Sequence, residues 1–317
     1  MTDHGSPLSG WRYRALILSV VVSVVGYLAF SLWGGLDDVL DAITRVGIVG
    51  FVLALVLSLI NYGLRFVRWQ LYLGALGHHV PWRLSGRIYL AGFALTIIPG
   101  KVGEMFRSVL LKRWGISYPH SLAAFLSDRL SDLVAVVLLA LFGLSAYTQL
   151  WGVVAAGVVG VLVGLLLLSH EAPVRWLASW GKSGAGRLRS LSEQSSRMLA
   201  GARRCHAPAL LVKANSLSLV AWVAEAIAFC LILHWLGLDV AITFGVLVYS
   251  ISALAGAMSF MPGGLGSTEA VMVGLLLWKG VPAPEAVAAT VLIRLTTLWF
   301  AVVLGVVALA SSRHDGA

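Results

Sequence analysis

The fold of this chain is decided by two similar stretches, each of which breaks a long apolar run: Pro99-Gly100-Lys101-Val102-Gly103-Glu104 and Pro262-Gly263-Gly264-Leu265-Gly266-Ser267-Thr268-Glu269. With Ser267-Thr268 taken as an insertion, the residues that follow align at one offset of 165 positions: Glu104 with Glu269, Gly115 with Gly280, Ala123-Ala124 with Ala288-Ala289, and Arg129 with Arg294. Upstream, Leu76-Gly77 and Val80 pair with Leu236-Gly237 and Val240. A duplicated unit whose apolar helices are broken at matching places indicates the substrate site of a membrane transporter.

The composition of the chain is that of a protein embedded in a lipid bilayer. Of its 317 residues, 59% are hydrophobic and 12% are charged, and the mean hydropathy is +0.90. We therefore predict an all-α polytopic membrane protein. Six apolar runs have about the 20 residues that a membrane-spanning helix needs: 15–33, 48–64, 122–146, 151–169, 209–236 and 286–311. Two further apolar segments, 84–114 and 242–278, contain the proline-glycine loops, and each is one broken span, two short spans or a re-entrant hairpin.

Charge placement predicts an orientation, because Lys and Arg in short loops mark the cytoplasmic side of a membrane. The acidic first loop is expected outside, and the basic segments inside; the latter contain Arg12, Arg14, Arg65, Arg68, Arg83, Arg87, Lys112, Arg113 and the arginines of 170–208. Counting spans then makes the first broken segment a hairpin from the cytoplasm and the second a hairpin from outside. The two copies thus have opposite orientations, and both termini are cytoplasmic.

These boundaries predict a single membrane domain over 1–317. It consists of a first span (15–33), repeat 1 (48–146), a connecting span (151–169), a basic cytoplasmic loop (170–208) and repeat 2 (209–311). The basic loop mixes Trp176, Trp180 and several leucines with its arginines. This composition is typical of amphipathic helices that lie among lipid headgroups.

Charged residues within the apolar runs are the candidates for function, because a charge at the bilayer centre costs about 2.5–3.5 kcal/mol. Asp128, Arg129 and Asp132 lie early in an otherwise apolar segment and form either a substrate site or a neutralised local cluster near the interface. Arg294 has no acid within one helical turn. If equivalent positions face each other across the repeats, Arg129 and Arg294 converge and suit a phosphate. The alternative is that Arg294 pairs with Glu269 or Glu225 and holds the fold together.

The proline-glycine loops give a second reason to expect an anion. Each is followed by a short helix, predicted to start near Gly103 and near Ser267. The first N–H groups of such helices lack intrahelical partners and attract negative charge. Alternatively, Glu104 and Glu269 cap these termini, bind a cationic headgroup or exchange protons. Lys101 and Arg107 flank only the first loop, which is therefore the more basic of the two.

The same residues resemble a known family. Its likeness rests on Arg65-x-x-Arg68-Trp69, Pro99-Gly100-x-x-Gly103-Glu104-x-x-Arg107, Asp128-Arg129-x-x-Asp132 and Pro262-Gly263-Gly264-x-Gly266-x-x-Glu269 with Arg294. Between about residues 48 and 310 the chain is similar to the lysylphosphatidylglycerol synthase transmembrane region, a flippase-like membrane family. The resemblance implies a bacterial or archaeal protein that moves a lipid, often aminoacylated or glycan-linked, between leaflets. Asp128 stands where the family pattern has Glu. We expect the membrane part only, without the soluble synthase domain of two-domain members.

The predicted function is therefore the translocation of a phosphate-bearing lipid between leaflets of the cell (inner/cytoplasmic) membrane. The predicted substrate-binding residues are Pro99, Gly100, Lys101, Gly103, Glu104, Arg107, Asp128, Arg129, Asp132, Pro262, Gly263, Gly264, Gly266, Glu269 and Arg294. The alternatives are a membrane-embedded lipid transferase and a non-transporting scaffold of a glycosyltransferase or envelope-lipid pathway. Because no Ser-His, Cys-His or metal-ligand pattern is evident, we predict no enzymatic activity, metal or cofactor.

The predicted partners follow from the charge of the chain. The formal net charge is +9, and the basic residues adjoin apolar segments. Attraction to anionic headgroups explains this placement without nucleic acid. Expected partners are membrane lipids, anionic or polyprenyl-linked, and a glycosyltransferase or lipid-modifying enzyme.

Overall fold

The regular structure of the described part of the chain is helical. A computed structural model describes residues 36–94, 96, 102–147, 151–169, 187–259 and 261–311. Within these ranges the helices, here numbered in chain order, are α1 (Leu36–Ala75), α2 (Trp82–Ala94), α3 (Val102–Lys112), α4 (Tyr118–Leu144), α5 (Trp151–Ser169), α6 (Arg187–Cys205), α7 (Pro208–Trp235), α8 (Ile242–Met258), α9 (Ser267–Trp278), α10 (Ala283–Arg294) and α11 (Phe300–Ser311). A π-helical segment, Leu295–Trp299, joins α10 to α11 without a break.

Three of the predicted spans are confirmed as helices that are long and apolar enough to cross a membrane: Leu40–Ala75, Pro208–Trp235 and Ala283–Ser311. They correspond to the predicted runs 48–64, 209–236 and 286–311. The runs 122–146 and 151–169 are helical as α4 and α5. Whether those two helices cross the membrane stays a prediction. The first predicted span, 15–33, lies outside the described residues.

The second proline-glycine loop does break its apolar segment. Helix α8 ends at Met258, a single 3₁₀ turn covers Pro262–Gly264, and α9 begins at Ser267. Three glycines of this loop have positive φ angles: Gly263 (58°), Gly264 (67°) and Gly266 (83°). A side chain is strained in that conformation, so the glycines are what allow the break between α8 and α9. Residues 97–101 of the first loop lie outside the described residues, and α3 begins at Val102, next to the predicted start.

The helix boundaries recur in the two halves at the offsets seen in the sequence. The ends of α1 and α7 (75 and 235) and the starts of α2 and α8 (82 and 242) differ by 160 positions. The starts of α3 and α9 (102 and 267) and of α4 and α10 (118 and 283) differ by 165. Four turn glycines repeat their positive φ at the same offsets: Gly77 and Gly237, and Gly115 and Gly280.

The correspondence begins further upstream than the repeat starts at 48 and 209 that the sequence predicts. Within α1, Gly47 has a φ of 67° and bends the helix. Its counterpart at the 160-residue offset is Ala207, which separates α6 from α7. The first turns of α1 therefore match α6, and the buried Ala42 matches the buried Ala202. A search for continuous apolar runs does not detect this amphipathic part of the repeated unit.

Helices α1 and α7 pack against each other in antiparallel directions. Along this contact Asn61 Nδ2 donates to Ala221 O (2.9 Å), and Arg68 donates to Ser218 further along α1 but earlier in α7. At the opposite end, a Cβ added to Gly50 would lie 2.7 Å from the Trp235 ring.

Two other helix pairs cross between the halves. Helix α2 packs on α11, where an added Cβ at Gly305 would lie 2.2 Å from the α2 backbone. Helix α8 packs on α4, where one at Gly143 would lie 2.8 Å from the α8 backbone. Small residues permit such close approach of membrane helices. These contacts close the bundle around the charged residues of α1, α4 and α10.

Candidate functional site

A buried ion-pair cluster joins α1 to α4. Arg68 is fully buried, and its Nε donates to Asp128 Oδ1 at 3.0 Å while its Nη1 donates to Asp132 Oδ1 at 2.8 Å. Arg68 Nη1 also donates to Ser218 Oγ of α7. Because Asp128 and Asp132 are four residues apart, they share one face of α4 and present both carboxylates to the same guanidinium. Helix α7 thus bonds to the same cluster as α1 and α4.

Asp132 is surrounded by donors. Besides Arg68, it accepts from Arg65 Nη2 at 2.8 Å and from Trp222 Nε1 at 3.0 Å, and Arg129 Nη2 lies 3.1 Å away. A carboxylate offers about four acceptor positions, so the capacity of Asp132 is filled. Asp132 therefore acts here as a structural counter-ion to three arginines.

Arg129 lies at the open edge of this cluster. Its Nη2 is 3.0 Å from Asp128 Oδ2, yet 28% of its side chain is exposed, compared with none of Arg68. Three arginines against two aspartates leave the cluster with a formal charge of +1. Arg129 is therefore the most exposed arginine of a cluster that carries surplus positive charge.

The sequence left open whether Asp128, Arg129 and Asp132 form a neutralised cluster near the membrane interface. The structure supports the neutralisation but not the reason given for it. They do form mutual ion pairs. However, Asp128 lies ten residues after the start of α4, or about 15 Å along the helix. The aspartates are buried against α1 and α7. They are therefore neutralised by other helices and not by reaching out to the membrane surface.

The second charge cluster joins α9 to α10. Arg294 Nε donates to Glu269 Oε1 at 2.6 Å, and its Nη2 donates to the carbonyl of Gly263 at 2.7 Å. The alternative that Arg294 pairs with Glu269 is thus what the structure contains. Arg294 also fixes the proline-glycine loop through the loop backbone. Its side chain is 11% exposed.

Glu269 does not cap its own helix. Glu269 directs one of its two oxygens, Oε1, to Arg294. Its other oxygen, Oε2, is buried and has no hydrogen-bond donor within the described residues. The capping alternative is therefore wrong for Glu269. The first N–H groups of α9 stay without a side-chain partner from that carboxylate.

A π-helical segment follows the second cluster and bonds to α1. It follows Arg294 directly, and the carbonyl of Thr297 accepts a hydrogen bond from the hydroxyl of Tyr62 on α1. One helical turn further along α1, Arg65 contacts the first cluster. Adjacent turns of α1 thus bond to the first charge cluster and to the π-helical segment that follows Arg294. Single π turns within α-helices are frequent at functional sites.

Arg107, predicted as a substrate contact, is instead buried among aromatic rings. Its guanidinium carbon lies 4.1 Å from the ring centre of Tyr89 and 5.3 Å from that of Phe93. Only 2% of the residue is exposed. Cation–π contacts stabilise a guanidinium in such surroundings. The backbone of Gly103 and Glu104 belongs to α3, whereas Pro99, Gly100 and Lys101 lie outside the described residues.

Sequence reasoning missed several members of the site. Arg65 and Arg68 were used as markers of a cytoplasmic loop, but both lie within α1, which continues to Ala75. Their use as loop charges was wrong. The spacing of three residues between them, matched to the spacing of four between Asp128 and Asp132, was the available signal. Glu225, which accepts from Tyr249 and is 5% exposed, was considered only as a partner of Arg294.

The fold and the site together define a class of protein. Long apolar helices enclose two networks of charged side chains, and such networks within membrane segments are paired and face the interior of the bundle. The chain is therefore a helical integral membrane protein with an ionic interior.

Comparison with known sequences assigns the family. The chain belongs to the family described as the lysylphosphatidylglycerol synthase TM region, whose sequence profile matches residues 16–305. A UPF0104 membrane protein of Methanothermobacter thermautotrophicus is 26% identical, over 94% of this chain and 95% of its own length. A UPF0104 membrane protein of Pyrococcus horikoshii is 24% identical, over 93% of this chain and 97% of its own length. These names describe the relatives as membrane proteins, and the family resemblance predicted from the motifs is confirmed.

Proposed function

We propose that this protein moves a phosphate-bearing lipid, aminoacylated or glycan-linked, between the two leaflets of the cell membrane, and that it is not an enzyme. The observation that carries this proposal is the pair of arginines at equivalent positions, Arg129 and Arg294, each beside a buried acid and each partly exposed. A guanidinium binds phosphate by paired hydrogen bonds. A transport site needs such a group within the membrane and within reach of a cavity.

The proposal includes two repeats related by a two-fold axis that lies in the membrane plane. Its support is the contact between α1 and α7, which are equivalent helices and run antiparallel. Asn61 donates to Ala221, its own counterpart at the offset of 160. The crossed pairs α2 with α11 and α8 with α4 are reciprocal, as a two-fold relation requires. If α1 and α7 span the bilayer, a two-fold axis perpendicular to them lies in its plane, which gives inverted repeats.

In the proposed cycle the phosphate competes with acids for arginines. A headgroup that enters between the halves contacts Arg129 first, because that side chain is the more exposed of the two. The phosphate then displaces Glu269 from Arg294 and meets the first N–H groups of α9. Helix amino termini attract anions in a low-dielectric site. The lipid tails remain in the bilayer, so that only the headgroup requires a polar path.

The proposed orientation places the basic end of the bundle in the cytoplasm. Arg203 and Arg204 near the end of α6 and Lys112 at the end of α3 lie at that end. The other end carries Asp37 and Asp41 of α1. This distribution follows the excess of basic residues on the cytoplasmic side of membrane proteins. Both chain termini are cytoplasmic in this proposal, which retains the connecting span and the two broken hairpins.

Native mass spectrometry of the lipids retained by the purified protein tests the proposal. The wild type is compared with Arg129→Ala and Arg294→Ala. The matched control is Arg45→Ala, which breaks an exposed ion pair with Glu285. We expect one class of phosphate-bearing lipid to be retained by the wild type and by Arg45→Ala, and to be lost from both site variants.

Equal lipid retention by the wild type and the variants would contradict the transport proposal. If all four proteins retain only bulk phospholipid in equal amounts, the two arginines are structural ion pairs and the transport proposal fails. The scaffold for a glycosyltransferase or a lipid-modifying enzyme would then be the better explanation. It predicts that the same substitutions disturb complex assembly and leave lipid distribution unchanged.

A further inference from the structure

Two cavities lie at equivalent places in the two halves of the molecule. The first, of about 570 Å³, lies where the start of α4 meets α6 and the end of α3, and we call it the basic cavity. Its lining includes Lys112, Ser117, Pro119, His120, Arg197, Gly201 and Arg204. The second, of about 460 Å³, lies where α10 meets the first turns of α1; we call it the acidic cavity, and it is lined by Asp41, Thr44, Arg45, Pro284 and Glu285.

Residue offsets relate the two cavities to each other. Pro119 and His120 of the basic cavity correspond to Pro284 and Glu285 of the acidic one at the offset of 165. In the same way Gly201 and Arg204 correspond to Asp41 and Thr44 at 160. The two cavities are therefore one architectural feature that occurs twice. This makes each an internal reference for the other.

The charges of the two cavities have diverged. Lys112, Arg197 and Arg204 give the basic cavity a formal charge of +3, and its lining contains no acidic residue. The acidic cavity contains Asp41 and Glu285 against Arg45 alone, which gives −1. The arginines of the basic cavity are exposed on α6, and Arg197 takes the place of Asp37 at the offset of 160. Only one of the two equivalent cavities therefore carries the charge that an anion needs.

The start of α4 adds to the attraction for an anion in the basic cavity, and one lining residue, His120, is held by a second histidine. Ser117 precedes α4 without forming a side-chain cap bond, so the amino terminus of that 27-residue helix is open at the cavity wall. The partial positive charge of a helix amino terminus favours an anion. His120 Nδ1 is 2.8 Å from Nε2 of His78. This contact holds the His120 ring in place at the cavity wall.

We propose that the basic cavity binds the phosphate group of an anionic ligand at one face of the membrane, and that the equivalent acidic cavity does not. The site is separate from the charge clusters of α1, α4 and α10, and it does not depend on lipid transport. A lipid headgroup and a soluble phosphate share this chemistry. The basic helix α6, which lines the cavity, is separated by two residues from the start of the membrane-length helix α7, and this position favours the headgroup.

The test measures phosphate binding to the detergent-solubilised full chain by native mass spectrometry. The probes are dioctanoyl phosphatidic acid, dioctanoyl phosphatidylcholine and inorganic phosphate. The variant is Arg197→Gln/Arg204→Gln, and the matched control is Arg45→Gln in the acidic cavity. Both change exposed side chains, so unaltered folding is checked by their thermal unfolding temperatures.

We expect the wild type to bind phosphatidic acid in preference to phosphatidylcholine. The double variant should bind it about thirtyfold more weakly, since each cation near a headgroup contributes about fivefold, whereas Arg45→Gln should stay within about twofold of wild type. Competition by inorganic phosphate at equal affinity supports a soluble ligand, and its absence supports a lipid ligand. Wild-type affinity in the double variant, or an equal loss in Arg45→Gln, overturns the proposal.

Discussion

Removal of the Arg68 side chain is expected to be among the most damaging single substitutions in the bundle. Its guanidinium is completely buried and bonds to Asp128, Asp132 and Ser218. In Arg68→Met the stem of the side chain keeps much of its packing, but Asp128 loses every bond except that from Arg129. Breaking one partner out of a buried ion pair costs about 3–5 kcal/mol, because the remaining charge stays buried.

Thermal unfolding in detergent, followed by intrinsic fluorescence, measures this cost. A loss of that size corresponds to a decrease of roughly 5–10 °C in Tm, at about 2 °C for each kcal/mol in a chain of this length. The control Arg45→Ala removes a pair whose arginine side chain is 47% exposed. Exposed pairs contribute about 0–1 kcal/mol, so its Tm should change by at most about 2 °C.

A compensating variant separates buried charge from lost packing. In Arg68→Met/Asp128→Leu both members of the pair are absent, while Asp132 keeps its donors Arg65 and Trp222. We expect at least half of the lost Tm to return, because replacing a buried ion pair by apolar residues is often nearly neutral. A decrease for Arg68→Met no larger than that for Arg45→Ala would refute the reasoning.

Three further predictions concern packing, a buried carboxylate and pH. Gly305→Val should lower the free energy of unfolding by about 1–3 kcal/mol, because the α2 backbone occupies the space of an added Cβ. An added Cβ at Gly74 meets nothing within 4 Å, so Gly74→Ala should be harmless, and equal Tm values for the two variants would contradict this. Tyr249→Phe removes the hydroxyl that donates to Glu225 and should lower the free energy of unfolding by about 1–3 kcal/mol, because the buried carboxylate loses its donor. An unchanged Tm would contradict this. Burial lowers the pKa of His206 below 6.5, so the unfolded chain binds more protons and stability falls as pH decreases through 6.5. The decrease in Tm from pH 7.5 to 5.5 should therefore be smaller in His206→Gln than in the wild type, and equal decreases would contradict this role of His206.

Local composition was sufficient for much of the architecture. Apolar length predicted the three long helices, and glycine with proline marked the break between α8 and α9. Both depend on properties of neighbouring residues: helix formation in apolar surroundings and the φ angles that glycine permits. The amphipathic first turns of α1 were missed because their helical pattern is not an apolar run. Only their match with α6 at the same offset identified them as part of the repeated unit.

Composition and the duplicated motifs were enough to predict a helical membrane protein with a repeated unit. They also showed which residues carry charge within the apolar segments. The tertiary structure alone decided how those charges are paired: Arg68 with the α4 aspartates, and Arg294 with Glu269. It also decided that only one of two equivalent cavities is basic. The physical reason is that hydropathy and turn preference act between neighbours in sequence. Ion pairing acts through space, and its partners here are 25 to 64 residues apart.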